Sequence, residues 1–231
     1  MDMDQQIVTA KKIIDASDAV LVSASNGLSI AEGYNIFADD KNFRAYFNDF
    51  RSLYGVSSLI QGVFAQLPKA DHQVFMNKVH QMMIDDYQPS EPFANLKNIL
   101  SDKDYFVVTS NADTHFQLNG FDPKRIFEIE GNFDGLEMNS AQWEEQQNRF
   151  EQFVTNNQDK QLVQLELGIG ARNNMIKAPL MNLVAQHASW SFITLNMPKE
   201  INVPEEISSQ SISLPGDIGQ TFKNLLTVGE N

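Results

Sequence analysis

Residues 18–34 read DAVLVSASNGLSIAEGY, and the order of chemistry along them decides the fold. DAVLVSA (18–24) is a short apolar run, of the kind that forms a strand buried on both faces of a parallel sheet. A polar, glycine-bearing turn follows at once and leads into a short helical pattern. Strand, glycine turn and helix together open a βα nucleotide-binding unit, in which amides at the helix N-terminus face a phosphate. Ser23, Ser25, Asn26, Gly27 and Ser29 are therefore either phosphate donors or caps of the helix that follows.

Working outward, the same alternation returns. DYFVVTS (104–110) reads as a buried strand, followed by a turn and short helix in NADTHFQLNGF. RIFEIEG (125–131) reads as the next strand, with Phe127 and Ile129 on one face and Ile126, Glu128 and Glu130 on the other. It ends on Glu130, just before a glycine. QWEEQQNRFEQFVTNN is a polar helix with Trp143, Phe150 and Val154 inward. KQLVQLELGIGARNN (160–174) is a strand running into a glycine turn; SWSFITLN (189–196) and SISL (211–214) are further strands. DIGQTFKNLLTV (217–228) is a closing helix capped by Asp217, and QQIVTAKKIIDA (5–16) an opening one.

Residues 40–100 carry helical spacing instead, with Phe43, Tyr46, Phe47, Phe50 and Tyr54 in one stripe. Val74, Phe75, Val79, Met82 and Met83 form a second. The predicted fold is α/β: a Rossmann-like parallel sheet with helices on both faces and a small helical lobe. One domain is expected over 1–231, its Rossmann-like part covering about 1–39 and 101–231 and its helical insertion about 40–100.

Composition narrows the function. The formal net charge of −13 disfavours sequence-independent nucleic-acid binding, which needs Lys and Arg facing phosphates. The cysteine count of 0 removes disulfides and thiolate metal sites and fits a reducing cytosol. The 4 histidines show no metal-ligand spacing, so no protein metal site is expected. No signal-like start and no membrane-length apolar run is present, so the expectation is a soluble, cytoplasmic protein with no membrane partner.

Ligands of an open parallel sheet sit at the carboxyl ends of its strands. Here those ends carry SASNGLS, TSNAD, EIEGN and ELGIGARNN. Each is weak alone. The glycines at 168 and 170 equally suit a tight turn, and Asn111 and Asp113 equally suit an Asx-type turn. Their joint placement points to a dinucleotide.

The order of these motifs resembles the sirtuin family, most closely the macrodomain-linked class M sirtuins of bacteria. SASNGLSIAEGY stands at the family's first glycine loop, and DKDYFVVTSNADTHFQLNGFDPKRIF at its T-x-N-x-D region. EIEGNFDGL stands at the catalytic segment, LELGIGARNNMIKAPL at the second glycine turn, and LPGDIGQTFKNLL near the end.

The resemblance implies NAD as co-substrate, loss of nicotinamide, and passage of ADP-ribose to an acyl oxygen or to a protein side chain. Class M members resemble the second kind, and are associated with a lipoylated carrier similar to the glycine-cleavage H protein. It implies that Asn111 positions the ribose or a water and Asp113 holds the carboxamide. Ser23, Ala24 and Gly27 approach the pyrophosphate, and Ser25 and Ser110 also belong to the cofactor-binding set. Gly168, Gly170 and Asn196 border the adenosine, and Asp217 and Ile218 the adenine.

The chain departs from the pattern in four places. Serines stand at 23 and 25 where the family has glycines. The four-cysteine zinc module has no counterpart, so no zinc is expected. NIFADDKNF replaces the arginine-bearing loop. Glu130 stands where the family has its catalytic histidine, or class M a glutamine. Glu130, Asn111 and Asp113 are the candidate catalytic residues, since a carboxylate stabilises a ribosyl cation and accepts a proton. The leading expectation is ADP-ribosyl transfer to a protein. The alternatives are a non-catalytic NAD- or ADP-ribose-binding module, an NAD-dependent deacylase or an NAD hydrolase.

Overall fold

A computed structural model describes residues 2–228. Its centre is a six-stranded sheet in the order β3-β2-β1-β4-β5-β6. The strands are β1 (Ala19–Ala24), β2 (Asp104–Thr109), β3 (Ile126–Glu128), β4 (Leu162–Leu167), β5 (Trp190–Asn196) and β6 (Ser211–Pro215). Every pairing is parallel. The chain leaves β1 toward β2 on one side and later places β4 on the other. That reversal opens a crevice beyond the carboxyl ends of β1 and β4.

The apolar runs follow from this position. All six residues of β1 and of β4 are buried, which is why neither shows polar alternation. One face of the sheet packs Val20, Val22, Val163 and Leu165 against α1 (Met3–Ala16), α6 (Glu91–Ile99) and α10 (Ile218–Thr227). The other packs Leu21, Phe106, Val108 and Phe192 against α8 (Ala141–Asn157) and α9 (Lys177–Gln186).

The remaining helices are α2 (Asn26–Ala31), α3 (Lys41–Tyr54), α4 (Leu59–Val63), α5 (Lys69–His80) and α7 (His115–Leu118). Within 40–100 the packing divides the helices. Phe43, Phe47 and Phe50 of α3 meet Phe75 and Val79 of α5 in a cluster of their own. Phe93, Leu96 and Ile99 of α6 instead join the sheet layer. A π-helical turn, Gln81–Asp85, extends α5 and turns Met82 and Met83 inward. Asp40 caps α3 through the Phe43 amide at 2.9 Å, and Asp217 caps α10 through the Gln220 amide at 2.8 Å.

One strand is shorter than its sequence suggests. β3 ends at Glu128, because the Gly131 amide donates to the Glu128 carbonyl at 3.1 Å and closes a turn with Gly131 at φ 73°. Glu130 therefore sits in that turn rather than on the strand, and does not share a face with buried Glu128. Val74 and Tyr54, expected in the core stripes, are exposed. No helix among the described residues is long and apolar enough to cross a membrane.

Candidate active site

The β1–α2 turn is built by a meeting of two glycines. The Gly27 amide donates to the Gly168 carbonyl at 3.0 Å, and Gly168 holds φ at 63°. A Cβ on either glycine would lie 2.4 Å from the other's Cα. Both glycines are thus required by contact between the first and second turns. Ser23 and Ala24 lie beneath, fully buried in β1. The Ser23 hydroxyl accepts from the Gln164 amide at 2.6 Å, so it is tied into the sheet and lines no cavity.

From Ser25 onward the chain borders two adjoining cavities. The first, of about 390 Å³, is lined by Gly27, Gly168, Gly170, Asn196, Asp217 and Ile218. The second, of about 300 Å³, takes Ser110, Asn111, Asp113 and Glu130, with an apolar wall that includes Ile60, Val63 and Phe133. Ser25 and Asn26 border both and form the ridge between them. Of the residues singled out in the sequence, only Ser23 and Ala24 lie away from this cleft.

Hydrogen bonds fix the second cavity. Asn111 Nδ2 donates to the Ser29 hydroxyl at 3.0 Å and to the Ser25 carbonyl at 3.2 Å. The Ser29 hydroxyl donates on to Asp113 Oδ2 at 2.8 Å. The Ser110 hydroxyl donates to that of Ser25 at 3.0 Å. Asn111 Oδ1 is buried with no partner in the protein, although buried polar atoms are nearly always paired. An unpaired acceptor in a cavity wall fits a ligand that donates there. Asn196 is held at the first cavity by donation from Nδ2 to the Ile169 carbonyl at 2.8 Å. In the loop NIFADDKNF (35–43), Asp39 binds Arg44 at 2.8 Å and Arg51 at 2.9 Å, and exposed Phe37 borders the first cavity.

Electrostatics separate the acids. Glu130 is open to solvent, yet the walls around it withdraw enough water to raise its carboxyl above the usual range. Burial raises Glu128 as well. Hydrogen bonds from Asn132, Gln117 and Gln146 pull it back, while the charge of Asp113 pushes it further up. Burial also raises Glu166, against the opposing charge of Lys177 at 2.8 Å.

Sequence reading missed Glu32, His115 and Tyr87, which lie behind Asp113 in one hydrogen-bonded group. Glu32 and His115 are 83 residues apart, and no local pattern marks either.

The fold is that of the Sir2 enzymes, the sirtuins. A solved Sir2 homologue in complex with NAD matches with a TM-score of 0.62 at 12% identity, over 94% of this chain and 91% of that one. A second Sir2 structure matches with a TM-score of 0.58 at 15% identity, over 98% and 96%. In sequence, a protein ADP-ribosyltransferase of Staphylococcus aureus (strain Mu50 / ATCC 700699) is 20% identical over 96% of this chain and 87% of its own length. A probable bifunctional ADP-ribose hydrolase/ADP-ribosyltransferase of Fusarium oxysporum f. sp. cubense is 30% identical over 134 residues. That match takes in 55% of this chain but 22% of the relative, so this chain corresponds to a small part of it. No protein-family model matches the chain.

Proposed function

We propose that this chain cleaves NAD and transfers the ADP-ribosyl group to a protein side chain. The observation that carries the reading is the placement of Asn111, Asp113 and Glu130 in one cavity that shares Ser25 and Asn26 with a second. A dinucleotide is divided in the same way, with its reactive ribose at one end. The adenosine half belongs beside Asn196, Asp217 and Ile218, and the ribose–nicotinamide bond beside Asn111 and Glu130.

In the reaction the bond between ribose carbon and nicotinamide nitrogen breaks, and its electron pair neutralises the pyridinium. An acceptor lone pair forms the new bond to that carbon, and the acceptor's proton passes to Glu130. The Glu130 carboxylate also faces the positive charge that develops on the ribose. Asn111 and Asp113 orient the ribose and carboxamide. A lipoylated carrier protein is our choice of acceptor class, on the resemblance to class M sirtuins. Glutamate at the place of the family's histidine favours one other reading, a module that binds NAD or ADP-ribose without turnover.

Nicotinamide release tests the proposal directly. Glu130→Gln should lower the rate by roughly 10²-fold, the scale of a lost general base or charge stabiliser. Equal release by both proteins would remove Glu130 from the chemistry. Binding of NAD by calorimetry with no release from wild type would establish the binding module instead. Intact-mass spectrometry of lipoylated carriers incubated with NAD tests the acceptor.

A further inference from the structure

Behind Asp113 lies a group of charges that the proposed reaction does not use. The His115 side chain is fully buried, stacked on Tyr87 with centroids 3.8 Å apart and met edge-on by Tyr34 at 4.9 Å. Its Nε2 lies 2.9 Å from the Met83 carbonyl, which can only accept, so Nε2 carries a hydrogen. Its Nδ1 contacts Glu32 Oε1. The other Glu32 oxygen already accepts from the Tyr87 hydroxyl at 2.7 Å and the Ser90 hydroxyl at 2.9 Å. The Tyr87 hydroxyl itself accepts from the Asn119 amide at 2.6 Å, which directs its own proton to Glu32. With that oxygen filled by two donors, Nδ1 faces Glu32 Oε1, and Asp113 lies beside the same nitrogen, a setting of two acids that favours the ring as an imidazolium. The donor-type atoms of Glu32, Asp113 and His115 lie within 4.8 Å of one another, the spacing of a cation site. An imidazolium there has no lone pair to offer a metal.

Asp113 completes the group. Its Oδ2 lies 3.6 Å from Nδ1, and its Oδ1 accepts the His115 backbone amide at 3.0 Å. A cation lying between two acidic side chains offsets their repulsion in a dry site. We infer that His115 is a positioning residue of the second cavity: clamped by Glu32, its imidazolium neutralises Asp113 and holds it, with Ser29 and Asn111, against the cavity. The role in NAD chemistry rests on the function proposed above; the ring's charge and contacts do not. The titratable groups facing the ring are Glu32 at the end of α2, Asp113 after β2, and Tyr34 and Tyr87. The charge of Asp113 also reaches Glu128 on β3. Burial alone would strip the ring's proton, but the two carboxylates outweigh it and hold its titration above the ordinary value.

Nitrogen-15 NMR of the histidine rings in the full chain decides the matter without any ligand. The His115→Gln spectrum identifies the signal. In wild type both His115 nitrogens should remain protonated at pH 7, above the ordinary imidazole midpoint of ~6.5. A neutral ring there overturns the inference, and this reading needs no variant to fold. Asp113→Asn and Glu32→Gln should each move the ring's titration to lower pH; an unmoved titration in Asp113→Asn breaks the link to the cavity. Calorimetry adds the functional arm. His115→Gln should weaken NAD about tenfold and weaken ADP-ribose, which lacks the nicotinamide, by clearly less. Equal losses for both ligands would mark a merely structural histidine and overturn the role. If wild type binds neither ligand, the proposed function fails, and the ring titrations still accept or reject the coupling.

Discussion

Glu128 and Glu130, two positions apart, are put to opposite use by one turn. Glu128 ends β3 inside the protein with Oε1 unpaired, while Glu130 stands in the turn at the cavity edge. Because Glu128's folded-state carboxyl is raised, the folded chain binds more protons than the unfolded one between the ordinary and raised values. Its contribution to stability therefore falls as pH rises through that window and returns on acidification. Glu128→Gln should remove that slope and stabilise the protein at neutral pH by about 1 kcal/mol, read by urea denaturation at two pH values. Glu130 has the same direction of shift but a different consequence. A carboxylate that must be ionised to act is lost as pH falls, so nicotinamide release should decline on the acid side above the usual carboxylate range. Glu130→Gln should lack that limb, and a limb that persists in the variant assigns it to another group.

Elements are positioned by contacts that tolerate little change. The Gly27–Gly168 meeting fixes α2 against the β4 turn, so Gly168→Ala adds both a 2.4 Å clash and strain at φ 63°. A loss of roughly 1–3 kcal/mol is expected, measurable as a fall in thermal midpoint. The first residue of α9, Lys177, is buried with its ammonium 2.8 Å from Glu166 on β4, and Thr194 donates to the same oxygen at 2.8 Å. Lys177→Met leaves Glu166 uncompensated and should cost about 3–5 kcal/mol, most of which Glu166→Leu in the same chain should restore. No recovery in the double variant would show that Lys177 acts by packing alone. The strands and α10 were legible because periodicity and capping are local. The length of β3 was not, since Ile129 continues the alternation while Gly131 ends it. Nor was the Glu166–Lys177 pair, whose two charges lie 11 residues apart with no local pattern joining them.

For the whole molecule, the parallel sheet and the cleft at its strand ends followed from the repeated strand–turn–helix pattern, whereas the strand order was not read from it. What escaped was every contact across the chain: the network from Glu32 to Tyr87, Ser90 and His115 has no short-range signature. If NAD occupies the cleft, thermal unfolding should shift upward with its concentration, by about 2.7 kcal/mol at a hundred times its dissociation constant. That network has a further consequence. Glu32 binds Ser90 across 58 residues, so the helices between them leave and rejoin the sheet through one clasped neck. A single backbone cut in the exposed turn at Gly55 would lie between Phe47 and Phe75, whose rings sit 4.6 Å apart. The two fragments would be held by that aromatic cluster, by the clasp and by the sheet ladder between β1 and β2. The protein should therefore behave as a split pair, co-eluting after limited proteolysis and separating only in denaturant.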